Sequence, residues 1–186
     1  MKRYTYYILA LLMSLASCGD TEYEYSSHRR YFIFENTGSR SPALASATNI
    51  MSPGIFCRVT TSGENYYSFS TNQGLTDRVA RTEIDKQRTV ELGVYNETGI
   101  MVGFGNLNNP ATFYAYDSQC PNCYKNTNLP RYQLSMNTDG TAECGSCHRK
   151  YDMNNGGIVV SGDGGDKLIR YRANTTGPQG VLSVTN

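Results

Sequence analysis

The chain has no tryptophan, only two histidines, and no excess of charge of either sign: 17 Lys and Arg stand against 16 Asp and Glu over 186 residues. That balance excludes an electrostatic nucleic-acid binder, which needs a basic patch or stripe, and gives no reason to expect a strongly charged partner. Common catalytic signatures are missing too. There is no nucleophile elbow, P-loop, HExxH or dinucleotide fingerprint, so no catalytic residue is assigned. Internal repeats and low-complexity segments are absent. Beyond the N-terminus no apolar stretch is long enough to reach a membrane.

What is present points to strands. Fifteen Tyr and 18 Gly suggest β-structure joined by tight turns. Residues 31–35 (YFIFE), 54–61 (GIFCRVTT), 66–70, 88–95, 100–104 and 112–116 form short apolar or β-branched runs separated by turn residues. Residues 157–161, 167–173 and 181–184 continue the series. Such intervals indicate an antiparallel sandwich or barrel. One or two helices are expected to interrupt it. Residues 76–87 lack turn residues and place Leu75, Val79 and Ile84 near one face, while residues 42–50 make a weaker case.

The N-terminus has the make-up of an export signal. Lys2 and Arg3 precede residues 8–16, a stretch of nine that is apolar apart from Ser14. That is far short of the roughly 20 residues needed to span a bilayer. Leu15-Ala16-Ser17-Cys18 follows and resembles the bacterial lipobox. The resemblance implies cleavage before Cys18, lipid on its sulfur and an extracytoplasmic location on a membrane; an ordinary signal peptide is the alternative. Removing residues 1–17 leaves 169 residues, one ordinary domain, with 15 basic and 16 acidic side chains, a formal −1. Residues 18–30 are expected to be a lipidated cysteine and an acidic tether, its Gly19 to Glu24 stretch resembling the export signals of Bacteroidota lipoproteins, and residues 31–186 a single domain. Asn96 and Asn174 head glycosylation sequons that a bacterial lipoprotein would not use.

The cysteines carry the chemistry. Cys120-Pro-Asn-Cys123 and Cys144-Gly-Ser-Cys147 are separated by 20 residues. A C-x-x-C turn aims two sulfurs at one point, and two such knuckles complete a four-sulfur site, with Asp139-Gly140 as the return turn between them. Zinc in a closed tetrahedral shell, an iron–sulfur cluster and a pair of disulfides in an oxidising compartment all fit this spacing. Thiol–disulfide exchange also uses C-x-x-C, but the βαβ context of thioredoxin-like motifs is lacking.

Residues 114–173 resemble a Rieske domain. They contain YAYDSQCPNC with Ala115 and Asp117 ahead of Cys120. After Cys147 come Lys150-Tyr151-Asp152, Gly156-Gly157, an apolar strand, Ser161-Gly162 and a Leu168 to Tyr171 closing segment. The whole is also similar to Rieske-like lipoproteins of Bacteroidales. The resemblance implies a [2Fe–2S] centre, membrane-anchored one-electron transfer, an unidentified redox partner protein and a small metal-binding subdomain at about residues 117–162. One departure matters: Asn122 and Cys147 stand where Rieske loops carry histidines, so the ligand set becomes Cys120, Cys123, Cys144 and Cys147. An all-thiolate centre would lack the raised potential that imidazole ligation gives. A shifted alignment makes His148 a ligand instead and pairs Cys123 with Cys147. Two histidines exclude the second, His-rich iron site of ring-hydroxylating oxygenases.

The remaining candidates have plain readings. His28 sits in the polar tether, and Cys57 lies within an apolar strand as an inert thiol. Tyr124, Tyr132 and Tyr151 are expected to pack around the site. Asp163-Gly164-Gly165-Asp166 lacks the other ligands of a calcium loop and is expected to be a surface turn.

Lipidation of Cys18 has a direct check. Cys18→Ala is expected to release the protein from membranes or leave it unprocessed; recovery of normally processed, membrane-bound Cys18→Ala protein contradicts lipidation.

Overall fold

The structure, a computed structural model, describes residues 24–27, 29–38, 40–94 and 98–186. Cys18, His28 and Asn96 lie outside the described residues. Three antiparallel sheets make up the fold, and none closes into a barrel. The largest has the order β4-β3-β2-β5-β6, built from β2 (Phe56–Ser62), β3 (Tyr66–Thr71), β4 (Thr76–Ala80), β5 (Ile100–Phe104) and β6 (Phe113–Asp117). A three-stranded sheet pairs β1 (Tyr31–Glu35) with β12 (Val181–Thr185) and β12 with β11 (Ala173–Thr175). The third sheet runs β10-β9-β8-β7 and comprises β7 (Leu134–Met136), β8 (Thr141–Cys144), β9 (Lys150–Asp152) and β10 (Ile158–Ser161).

The five-stranded sheet is the middle layer, because strand alternation sends its side chains into two separate cores. Cys57, Val59, Tyr67, Phe69, Ile100, Val102 and Ala115 pack with Phe32, Phe34, Leu182 and Val184 of the three-stranded sheet. Phe56, Met101, Tyr114 and Tyr116 point the other way, into a core shared with Leu134, Ala142, Tyr151 and the cysteines. β5 is buried along its whole length, as expected of a central strand covered on both faces. Helix α1 (Pro42–Ala47) buries Ala43, Leu44 and Ala47 in the first core. Its start is fixed by the Ser41 hydroxyl, which accepts from the Leu44 N–H, and by Pro42 at its first position.

Three expectations need correction. Residues 76–87 are not one helix: β4 pairs with β3, and a short helix α2 (Glu83–Gln87) begins only at Thr82, which caps it reciprocally with Asp85. Val79 faces the core on a period of two, so Leu75 and Ile84 are exposed rather than sharing a helix face. Residues 88–94 form no strand. Glu91 makes a single bridge to Tyr31, Gly93 turns the chain at φ +74°, and the Val94 N–H goes to the Asp117 carboxylate instead of a ladder. Residues 167–172 run beside β6 with one bridge, Tyr116 to Arg170, before β11 begins. Ser26 is tied to the segment at Arg170 and to Asn186. Ser26 donates its N–H to the Arg170 carbonyl at 2.8 Å, and the Asn186 side chain donates to the Ser26 carbonyl at 2.6 Å. Among the described residues no helix is long and apolar enough to cross a membrane.

A buried carboxylate stands where the layers meet. Asp117, at the end of β6, accepts from the N–H groups of Val94 and Gln119 at 2.7 and 2.6 Å. It also accepts from the hydroxyls of Thr98 at 3.1 Å and Tyr171 at 2.5 Å. Arg30 in turn donates to the Tyr171 oxygen at 3.2 Å. Burial pushes the Asp117 carboxyl above its usual range, while the four donors pull against that shift. Hydrogen bonds to a charged group each contribute about 1.5–3 kcal/mol, so Asp117→Ala is expected to lower the unfolding free energy by at least about 3 kcal/mol and Tyr171→Phe by about 1.5 kcal/mol. Urea denaturation checks both; an Asp117→Ala midpoint equal to that of the unaltered protein contradicts the assignment.

Candidate metal centre

Two knuckles, one helical and one a hairpin, deliver the four sulfurs. β6 ends in Asp117, and Ser118 and Gln119 carry the chain across to the third sheet. There Leu134 donates its N–H to the Ser118 carbonyl and Cys120 donates its own to the Tyr132 carbonyl, both at 2.8 Å. Cys120 then occupies the N-cap of helix α3 (Pro121–Thr127), with Pro121 at the first helical position. The helical turn brings the Cys123 N–H to the Cys120 sulfur. α3 stops at Asn128, whose left-handed backbone (φ 54°) reverses the chain. The second knuckle is the β8–β9 hairpin. Cys144 ends β8, the Cys144 N–H donates to the Arg149 carbonyl at 3.0 Å, and the His148 N–H donates to the Cys144 carbonyl at 2.9 Å.

All four sulfurs lie within 4.8 Å of one another. Cys120 Sγ is 3.7 Å from Cys147 Sγ, and Cys123 Sγ is 3.8 Å from Cys144 Sγ. A disulfide needs about 2.05 Å, so the pairs are close but unbonded; all four, and Cys57, are free thiols. Cys120, Cys123 and Cys144 are buried in the second core, whereas Cys147 is half-buried. Sequence spacing therefore finds the four residues that the fold brings together, and this set could hold a metal ion. His148 is not among them. It takes a left-handed backbone (φ 57°) immediately after Cys147, which is how the hairpin turns back into β9. Cys57 is buried in the other core, and burial drives its thiol pKa far up, as expected of an inert position.

The surroundings of the sulfurs are polar on one side. Tyr151 Oη lies 3.2 Å from Cys120 Sγ and accepts from Asn122 Nδ2 at 3.0 Å, so its own proton is left to point at sulfur. Asn122 does more than fill a gap. Its amide donates to the Asp166 carbonyl and accepts from the Asp166 N–H, each at 2.9 Å, which clamps residues 163–166 beside the centre. Arg149 holds the same loop from the other knuckle through the carbonyls of Asp163 at 2.9 Å and Gly164 at 3.2 Å, and Lys125 pairs with the Asp166 carboxylate at 2.8 Å. Gly165 packs so closely on the Asn122 side chain that a Cβ there would overlap it. Of the three tyrosines expected around the site, Tyr151 is buried against sulfur and Tyr132 is partly buried on the same core.

Without a cation this cluster is electrostatically divided. Burial raises the Cys120 thiol above its ordinary value, and burial reinforced by the neighbouring sulfurs raises Cys123 much further. Burial opposes ionisation of Cys147 as well. There the backbone N–H and guanidinium of Arg149, with Cys123 and Cys144 as donors, outweigh it and lower the pKa to about 6. The Cys147 thiolate thus sits beside Cys120 and Cys123, which keep their protons, and a dication would displace those protons.

The roles of Asn122, Arg149 and the 163–166 loop around the centre escaped sequence reasoning. The asparagine was legible only as the residue standing at a Rieske histidine position, and the loop only as a surface turn. Comparison with family models, with curated proteins and with solved structures yields no match. The centre therefore stands on its own geometry.

Metal uptake by the metal-free protein near neutral pH is expected to expel protons from Cys120 and Cys123, while Cys147 is already ionised. Binding should weaken as pH falls, and more steeply below about 6, where Cys147 also takes up a proton. Calorimetric titration in buffers of different ionisation enthalpy counts the protons released; uptake with no proton release contradicts this account of the cluster.

Proposed function

We propose that the chain is a membrane-anchored, extracytoplasmic β-domain whose four cysteines hold one tetrahedral zinc ion. In this reading the ion staples the two knuckles of a Rieske-like framework, and the domain serves a structural or binding role. One observation carries it. Four sulfurs placed about 2.3 Å from a single ion at the corners of a tetrahedron lie about 3.8 Å apart. Here every pair of the four sulfurs lies within 4.8 Å, with Cys120 and Cys147 at 3.7 Å and Cys123 and Cys144 at 3.8 Å; those two separations also suit two thiolates on one iron, so it is the 4.8 Å limit across all pairs that favours a single ion. A two-iron cluster spreads its terminal thiolates further, because the iron–iron separation is added between the two pairs. The donor set fits zinc chemically as well: all four ligands are soft thiolates in a closed, mostly buried shell, with donors from the Cys123 backbone, Tyr151 and Arg149 to offset the negative charge.

The membrane anchor is supported by the sequence of residues 8–18 alone. Electron transfer through a [2Fe–2S] centre is the second reading. Its support is the resemblance of residues 114–173 to Rieske domains, together with the half-buried Cys147, which would give electrons a short path to the surface.

Metal and sulfide analysis of anaerobically purified protein separates the readings. One zinc per chain, no inorganic sulfide and no colour are expected. Two irons with two sulfides and a reddish-brown colour establish the electron carrier instead, and two intact disulfides without metal defeat both. Single Cys→Ser changes at 120, 123, 144 and 147 should each abolish or strongly reduce bound metal, because a four-ligand centre loses its geometry with any member. Cys57→Ser and His148→Ala should retain it.

A further inference from the structure

The cysteine sheet covers only part of the second face of the five-stranded sheet, over Phe56, Met101, Tyr114 and Tyr116. The same face continues across β2, β3 and β4, because Cys57, Val59, Tyr67, Phe69 and Val79 turn the other way into the first core. Register arranges six of its side chains as a grid. Arg58 lies opposite Ser70 and Ser70 opposite Thr76; Thr60 lies opposite Ser68 and Ser68 opposite Arg78. The grid holds hydroxyls and two guanidinium groups and no carboxylate. Asp77 of β4 faces away, where it accepts from the Ser41 hydroxyl and the Ala43 N–H. Glu64 sits beyond Tyr66 in the β2–β3 turn, and Asp139 turns its carboxylate onto Thr141.

Arg58 is the unusual member. It is half-buried, its Nη2 donates to the Leu134 carbonyl, and its buried Nε has no partner. Among the described residues no carboxylate pairs with it. Burial pulls its pKa below the usual arginine range. Buried charges are ordinarily paired, because an uncompensated one is costly. Arg78 is exposed, lies over the Tyr66 ring at 3.9 Å, and also has no carboxylate partner among the described residues. The Ser68 and Ser70 hydroxyls between the two arginines make no hydrogen bond among the described residues.

We propose that this β2–β3–β4 face binds a tetrahedral oxyanion, a phosphate or sulfate ester, between Arg58 and Arg78 and over the Ser68 and Ser70 hydroxyls. The spacing suits one such group. With strands about 4.8 Å apart and alternate residues about 6.8 Å apart, each arginine Cβ stands roughly 6 Å from the grid centre, within reach of its own guanidinium. Guanidinium-to-oxyanion hydrogen bonds are charge-assisted and geometrically matched, and serine hydroxyls add donors. The ligand supplies Arg58 with the counter-charge that the chain does not. The face lies apart from the cysteine cluster, so it stands or falls separately from the metal and from the anchor.

The test titrates the purified full chain with glucose 6-phosphate, glucose 6-sulfate and glucose, read by calorimetry. Saturable binding of at least one ester is expected, and none of glucose; the tighter ester identifies the oxyanion. Arg58→Gln and Arg78→Gln should each weaken binding by at least about tenfold, and Ser70→Ala by less. Arg78 is exposed, so its variant carries the test even where Arg58→Gln fails to fold. Arg131→Gln, an exposed arginine over the Tyr132 ring, should leave binding unchanged. Failure of both esters to bind, equal binding of glucose, indifference to Arg78→Gln, or an equal loss from Arg131→Gln overturns the proposal.

Discussion

Bringing four sulfurs within 4.8 Å of one another inside an apolar core is the demand that the rest of the cysteine half must meet. Cys120 and Cys123 resist ionisation there, yet a metal needs thiolates, so the surrounding donors have to arrive already aimed. Three do so through the chain itself. Proline starts the helix that turns the Cys123 N–H on Cys120, the tight β8–β9 hairpin sets Arg149 against Cys147, and Tyr151 rises from the next strand toward Cys120. Asn122 fixes the tyrosine hydroxyl and, through Asp166, the loop that flanks the knuckles.

That half is stable only because the middle sheet presents it with a second apolar face. Phe56, Met101, Tyr114 and Tyr116 form the second face of that sheet and are covered by the cysteine sheet. The polar seams between the two are sparse and directional. Tyr116 donates its hydroxyl to the Met153 carbonyl at 3.0 Å, Asn72 donates to the Asn137 carbonyl at 3.2 Å, and Arg58 donates to the Leu134 carbonyl. Asp117 ties the other junction by collecting donors from three separate stretches of chain. Dispersion and burial hold the layers together, and these few bonds set their register.

How much of this was legible depended on whether the signal was local. Residues 31–35 and 100–104 appear as strands with the bounds expected, because short apolar runs between turn residues suffice to define them. The four-cysteine set was legible because ligand spacing is itself a geometric statement. The failures share one cause. Residues 76–87 contain respectable helix formers, yet pairing with β3 overrides that preference through Ala80, and a helix begins only after the Thr82 cap. Val94 and Tyr171 sit in strand-like sequence but give their hydrogen bonds to Asp117, a partner more than 20 residues away in either case. Asn122 looks like a spacer until residue 166 is placed against it. No pattern within one segment encodes such pairings.

The pairing of β1 with β12 has a consequence for timing. Tyr31–Glu35 is made well before its ladder partner, Val181–Thr185. Phe32 and Phe34 therefore wait for Leu182 and Val184 before the first core can seal. A chain emerging N-terminus first stays open along this seam until residues 181–185 are available, and such long sequence separation slows closure further.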